Sequence, residues 1–459
     1  MEVVLLIDFG STYTKVTAVD LEQPRLIGSA AAYTTVDTDV GEGFACALFE
    51  LKNQTGPLEY SRRLACSSAA GGLRMVACGL VPELTAKAAS IAVLGAGAKI
   101  VGLYSYQLTE DDVAEIIVKS PDILLLTGGT DGGNADCILH NASMLASAQA
   151  EFPIIVAGNR SCGRQVMQIL KLREAYFCDN VMPSLDTLNI EPARQKIREI
   201  FLENIVRAKG LSRVSELIDG ILMPTPAAVL NAAELLAKGY EGEPGIGDLI
   251  VVDVGGATTD VFSVAAGTPR RVNVVYKGLP EPFIKRTVEG DIGMRYSVHG
   301  IAESAGISRL AELAGLSEDK TCQHIDWLAT HTNALPQNNE QEALDFALAA
   351  LAIETATIRH AGSLAEVYTA AGPAYIQTGK DLTGVGRVVM TGGALINANR
   401  QGELAAYALY NDRYPQSLRP KQAELLVDKQ YILAAMGLLS SYAPHVALRI
   451  LKEDLGCRG

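Results

Sequence analysis

Two segments of this chain combine a carboxylate, glycines and small hydroxyl residues in the pattern that phosphate chemistry uses. The first runs Leu5-Leu6-Ile7-Asp8-Phe9-Gly10-Ser11-Thr12-Tyr13-Thr14-Lys15-Val16. The second runs Ile250-Val251-Val252-Asp253-Val254-Gly255-Gly256-Ala257-Thr258-Thr259-Asp260-Val261. Each is an apolar run of strand type that ends in Asp, turns through small residues and returns to an apolar run. Such a strand-turn-strand unit brings backbone N–H groups close to an anion because no bulky side chain blocks the approach. The amides of Gly10, Ser11 and Thr12, and those of Gly255, Gly256, Ala257, Thr258 and Thr259, are the candidate phosphate ligands. Mg²⁺ takes oxygen ligands, keeps several waters and is usually held by one or two carboxylates plus phosphates, which suits Asp8 and Asp253 directly or through water. Lys15 offers a cation to the phosphates. Either segment alone reads equally well as an ordinary β-hairpin; the pair points to two similar half-molecules serving one polyphosphate and its metal.

A third segment, Val385-Gly386-Arg387-Val388-Val389-Met390-Thr391-Gly392-Gly393-Ala394, reads as a strand and a glycine turn, with Leu395 to Asn399 opening a helix. Gly392, Gly393 and Ala394 would let backbone lie flat against an adenosine or phosphate near a helix N-terminus.

In order and spacing these three segments resemble the phosphate-1, phosphate-2 and adenosine motifs of the actin-like ATPase superfamily of sugar kinases, DnaK-type chaperones and actin. Three stretches go further. Arg63–Leu73, Val254–Asp260 and Val288-Glu289-Gly290-Asp291-Ile292-Gly293-Met294-Arg295 are similar to the MutL-type family encoded beside glutamate mutase, which is unrelated to mismatch repair. The resemblance implies an α/β fold of ribonuclease H-like duplicated domains and bound ATP or ADP with Mg. It also implies a role in maintaining or reactivating an adenosylcobalamin-dependent mutase, with glutamate mutase, ornithine aminomutase and lysine aminomutase as candidate clients.

The elements that must position these residues follow from periodicity. Val3–Asp8, Lys15–Asp20 and Arg25–Tyr33 read as a β-meander. Between 85 and 182 the rhythm changes to alternating short strands and helices. Among them are a strand at 99–104, a helix at 110–119 with Thr109 as N-cap, and a strand at 122–127, which together imply a small parallel sheet with helices on both faces. The expected organisation is a first half at 1–84 with its remainder at 186–245, an inserted doubly wound α/β subdomain at 85–185, and a second half at 246–459. The glycine-rich stretch 239–247 is the expected hinge. Residues 191–208 read as a charged, exposed helix. Gly128 to Asn134 follows a strand of the parallel sheet, where open α/β sheets bind ligands, and is a second candidate site.

The formal net charge is −13 and Lys and Arg form no long run, which argues against a nucleic-acid surface. No apolar run reaches the length of a membrane span, and the N-terminus enters a strand with no basic leader, so a cytoplasmic protein is expected. The eight cysteines show neither Cys-x-x-Cys spacing nor a Cys/His cluster, and Cys46 and Cys78 among small residues read as reduced core thiols. His324 and His331, seven apart without a third ligand, do not suggest a metal. The reading that unites these features is an ATPase chaperone. The alternatives are a small-molecule kinase, with Asp260 as the base for a substrate hydroxyl, and a nucleotide-binding scaffold.

Overall fold

The computed structural model describes residues 2–10, 13–34, 40–68, 73–185, 187–208, 219, 221–369, 372–396 and 398–457. The chain divides into two compact units, Met1–Ala228 with Gly278–Pro280, and Val229–Lys277 with Glu281–Gly459.

The first unit opens with β1 (Val3–Phe9), β2 (Tyr13–Asp20) and β3 (Arg25–Tyr33), the expected meander, and continues with β4 (Arg62–Ser67). A second, wholly parallel sheet follows: β5 (Arg74–Gly79), β6 (Lys99–Ser105), β7 (Ile123–Leu126), β8 (Ile154–Val156) and β9 (Ala175–Phe177), in the order β6-β5-β7-β8-β9. Its first strand begins at Arg74, ahead of residue 85. β10 (Ile221–Pro224) then returns to the first sheet, whose order is β3-β2-β1-β4-β10. Alternate residues of the parallel strands face two cores. Val76, Leu124, Leu126 and Ile154 pack with Ile116, Leu145 and Val166. Met75, Ala77, Ile123 and Leu125 join the core that also holds Leu5, Ile7 and Phe9 of β1. Burial on both faces is what the unbroken apolar run Ile123-Leu124-Leu125-Leu126 records. The Thr109 cap forms as a reciprocal capping box with Asp112.

The helix Glu191–Ala208 corrects the sequence expectation of an exposed helix: Ala193, Ile197, Ile200 and Phe201 are buried in the β1 core. Glu191, Lys196 and Glu199 stay toward solvent, and mean composition hides the apolar stripe.

The second unit takes in most of the helix Thr225–Lys238 and then a two-stranded ribbon, β11 (Gly239–Tyr240) and β12 (Glu243–Pro244), formed by the glycine-rich stretch expected as the hinge. Its main sheet is built from β13 (Leu249–Val254), β14 (Thr259–Val264), β16 (Ile284–Glu289), β19 (Arg387–Thr391) and β20 (Glu424–Val427) in the order β16-β14-β13-β19-β20. A three-stranded sheet joins β15 (Val274–Lys277), β18 (Gly372–Thr378) and β17 (Ser363–Thr369). The long helix Asn339–His360 buries Leu344, Leu348, Leu351 and Ile353 against this unit's core.

The two main sheets share one plan. In each, a central first strand pairs antiparallel with its hairpin partner, a third strand extends that side, and two later strands continue the other side in parallel with the first. Each unit therefore holds one copy of the same five-strand α/β plan.

Candidate functional site

The first hairpin closes at Gly10, whose N–H donates to Tyr13 O at 3.1 Å. A Cβ on Gly10 would stand 2.5 Å from Tyr13 O, so the turn excludes any larger residue. Asp8 faces Lys15 across the ladder and Cys66 on the parallel strand β4. Its carboxylate is 5% exposed and accepts from three side chains. Lys15 Nζ donates to Oδ2 at 3.2 Å, Thr225 Oγ1 to Oδ1 at 2.6 Å, and Cys66 Sγ to Oδ1 at 3.6 Å. Burial, and then the charge of Asp8, hold the Cys66 thiol well above its ordinary range, so it remains an S–H donor. Thr225 and Cys66 are members of this site that motif reading missed. Thr225 follows β10 directly as the first residue of the helix Thr225–Lys238, and the sheet order delivers it beside Asp8. Ser11 and Thr12 lie outside the described residues.

The second hairpin repeats the geometry. Gly255 N–H donates to Thr258 O at 2.9 Å, and Asp253 faces Asp260 as Asp8 faces Lys15. The carbonyls of Gly255 and Gly256 accept from the N–H groups of Met294, Arg295 and Tyr296, so the segment after Glu289 folds onto the hairpin tip. Gly293 is a glycine for that reason, since its Cβ would lie 2.3 Å from the Ala257 carbonyl carbon. Thr259 is fully buried and its hydroxyl donates to Ile292 O at 3.0 Å, so its side chain braces this packing and does not reach a ligand. Thr258 is half-buried and donates to Asp260 Oδ2 at 3.2 Å. Asp260 itself is held by Arg286, Nε at 2.8 Å and Nη2 at 2.6 Å from Oδ1, with both side chains almost fully buried. That ion pair removes Asp260 from the role of base assigned to it in the kinase alternative.

The third segment joins the second. Thr391 pairs in register with Asp253, and Gly392, at φ +99°, brings backbone so close that a Cβ would meet Val254 O at 2.4 Å and Asp253 Oδ1 at 2.7 Å. A Cβ on Gly393 would meet nothing within 4 Å. Ala394 is in the short helix Gly393–Ile396; Asn397 lies outside the described residues. Thr391 Oγ1 donates at 2.9 Å to Asp428 Oδ2, and the Asp428 carboxylate also accepts from the Ile432 and Leu433 amides. Asp428 was invisible as a site residue because it sits 37 positions away and looks like a helix cap.

Among the described residues no three His, Cys, Asp or Glu side chains gather as a protein-only metal site. Asp253, half-buried beside the open face at Gly393, has the oxygen chemistry that Mg²⁺ takes when phosphates and water complete its shell. The expected loop Gly128 to Asn134 is not an open amide cradle. Asn159 accepts from Gly132 N and donates to Gly133 O and Asn134 O, Gly133 N donates to Thr130 O, and Asp131 is tied to Arg160 and Asn180. Its polar groups are spent on its own shape. Glu281 and Glu289 are ion-paired with Lys285 and Arg359. Every cysteine is a free thiol, and Cys46 is exposed on the helix Val40–Thr55, not in the core as its alanine neighbours suggested. Among the described residues no helix is long and apolar enough to cross a membrane.

Comparison with known proteins places the chain in a family. The family model described as MutL protein matches residues 4–455. Protein MutL of Clostridium tetanomorphum is 47% identical over 459 residues, covering 99% of each chain. Distant likeness extends to two solved structures. Component A of the Acidaminococcus fermentans (R)-2-hydroxyglutaryl-CoA dehydratase is 11% identical, with TM-score 0.30 and 99% of each chain covered. The activator of the 2-hydroxyisocaproyl-CoA dehydratase from Clostridium difficile, with bound ADPNP, is 10% identical, with TM-score 0.34 and 98% of this chain and 97% of that one covered. With nearly its whole length matched by the family model and almost half its residues shared with a curated relative, the chain belongs to the MutL protein family.

Proposed function

We propose that this protein is a cytoplasmic, Mg²⁺-dependent ATPase that serves as a reactivating chaperone for an adenosylcobalamin-dependent mutase or aminomutase. The observation that carries the ATPase reading is the repetition of one device: an Asp at a strand end, a glycine-closed turn and a seven-residue return, on two sheets of identical strand order. The client class rests on membership of the MutL family.

In this reading the amides of the two turns and of Gly392, Gly393 and Ala394 bind the nucleotide, and Thr258 adds a hydroxyl. Asp8 and Asp253 hold the metal or the water that attacks. When bound, Mg²⁺ supplies charge neutralisation on the phosphate oxygens. Lys15, held at Asp8 by an ion pair, is positioned to offset negative charge as phosphoryl transfer proceeds. Thr225 and Cys66 orient the Asp8 carboxylate through hydrogen bonds. The parallel sheet of the first unit, expected as the insertion at 85–185, is the proposed client-facing element.

The test is phosphate release from Mg²⁺-ATP by the purified protein, with and without a purified adenosylcobalamin-dependent mutase inactivated by turnover. Restored mutase activity that depends on hydrolysis is the expected result. Turnover at wild-type rate in both Asp8→Asn and Asp253→Asn would overturn the site assignment; turnover without rescue of glutamate mutase or of ornithine or lysine aminomutase would overturn the client class.

A further inference from the structure

At the other end of the second unit's main sheet from Asp253 and Thr391 lies a cavity of about 450 Å³. Its walls come from the segment after β14, the strands β17 and β18, the residues leading into β19, and the segment 410–421 leading into β20. Because β13 and β19 run the other way toward the glycine turns, the length of a strand separates this cavity from the phosphate device, roughly 15–20 Å at 3.3 Å per residue.

Its chemistry is specific. Arg270, Arg271 and Lys421 bring three cations to a chain that is otherwise strongly acidic. None of them is in an ion pair among the described residues, and Arg271 stacks over the Tyr375 ring at 5.6 Å. Of the two acids in the lining, Asp381 is already satisfied by Thr383 and by the Arg270 N–H, and Glu366 is exposed. Among the described residues of the lining, two buried polar atoms lack a partner: Gln377 Oε1, in a residue 1% exposed, and Ser417 Oγ, in one 7% exposed. The Gln377 amide is oriented without ambiguity, because its Nε2 donates to two carbonyls, Gly267 O at 3.1 Å and Gly379 O at 2.9 Å, leaving Oε1 to accept. A buried acceptor without a donor costs free energy, and a ligand hydroxyl at this wall would supply one beside the Ser417 hydroxyl and three cations.

We propose that this cavity is a second ligand site, which takes a small hydroxylated organic anion. The guanidinium and ammonium groups meet its carboxylate or phosphate. A ligand hydroxyl donates to Gln377 Oε1, and Ser417 Oγ completes the pair. The volume is that of a metabolite pocket. The inference is independent of the nucleotide reading.

Isothermal titration calorimetry of the full chain at physiological salt tests it, with glycerol 3-phosphate, glycerate, inorganic phosphate and glycerol as probes. Saturable binding of glycerol 3-phosphate, glycerate or both, at about 1 mM or tighter, is expected and distinguishes the phosphate source from the carboxylate one. Arg271→Gln, an exposed substitution that leaves the core untouched, should weaken binding about tenfold, the loss of one charge-assisted contact, with ATP turnover unchanged. Ser417→Ala should weaken it too. Absence of saturable binding by either organic anion, affinity unchanged in Arg271→Gln, or inorganic phosphate binding as tightly as glycerol 3-phosphate would each overturn the proposal.

Discussion

The hairpin of Asp8 and the hairpin of Asp253 share their ladder register and closing hydrogen bond and differ in electrostatics. Seven residues after Asp8 stands Lys15, partly exposed and bonded to Asp8 itself. Seven residues after Asp253 stands Asp260, buried and bonded to Arg286 from β16. The first unit therefore leaves its cation beside Asp8 and partly exposed. The second unit spends its cation on neutralising an internal carboxylate. In the proposed mechanism the duplicated fold divides the labour, one copy supplying positive charge and the other the hairpin that the Gly392 turn packs against.

The largest break of this contrast is expected at the buried pair. Arg286→Ala leaves Asp260 charged in the interior without its counter-charge, with the Thr258 hydroxyl still donating to it, a loss of about 3–5 kcal/mol. Trp327, the chain's single tryptophan, belongs to the second unit and reports its unfolding in urea by fluorescence. Lys15→Ala should leave that transition in place.

Turnover gives the converse. Asp8→Asn and Asp253→Asn are each expected to lower phosphate release by about 10²–10³-fold, the range for removing one preorganised electrostatic group at a reacting centre, with far-UV circular dichroism unchanged. Lys15→Met should fall in the same direction.

A smaller effect separates adjacent glycines. Gly392→Ala forces a Cβ against Val254 O at positive φ and should cost about 1–3 kcal/mol by the Trp327 transition. Gly393→Ala meets no neighbour and should leave that transition within experimental error.

The gentlest probe is pH. Lys380, buried in the second unit with its Nζ on Ser263 Oγ, Pro282 O and Phe283 O, is pushed from 10.5 down to about 7 by burial and then by the Lys285 cation. Between about pH 7 and 10.5 the unfolded chain holds this proton and the folded chain does not, so the Lys380 contribution to stability rises with pH across that window. The urea midpoint of wild type, less that of Lys380→Met, should climb between pH 7 and 9.

Much of this was legible in the sequence because it is local. The turn chemistry of Gly10 and Gly255, the strand alternation around them and the Thr109 cap each depend on residues a few positions apart, and each element formed where the pattern placed it. What the reading lost was distant or averaged. The helix 191–208 looked exposed because its charges outweigh an apolar stripe that only periodicity against a core makes visible. Cys46 looked buried because its neighbours are small, yet its face of the helix is the outer one. Thr259 looked like a ligand because a hydroxyl in a glycine turn is ambiguous until the segment Ile292–Tyr296 folds over it.

The two hairpins, their glycines and the strand-ending carboxylates are local, since backbone sterics set a tight turn within a few residues. What each carboxylate touches depends on the packed fold. Thr225 reaches Asp8 across 217 positions, Arg286 reaches Asp260 across 26 and Asp428 reaches Thr391 across 37. Those partners are chosen by strand order and register, which are set when whole sheets pack and buried charges must find a counter-charge or a donor.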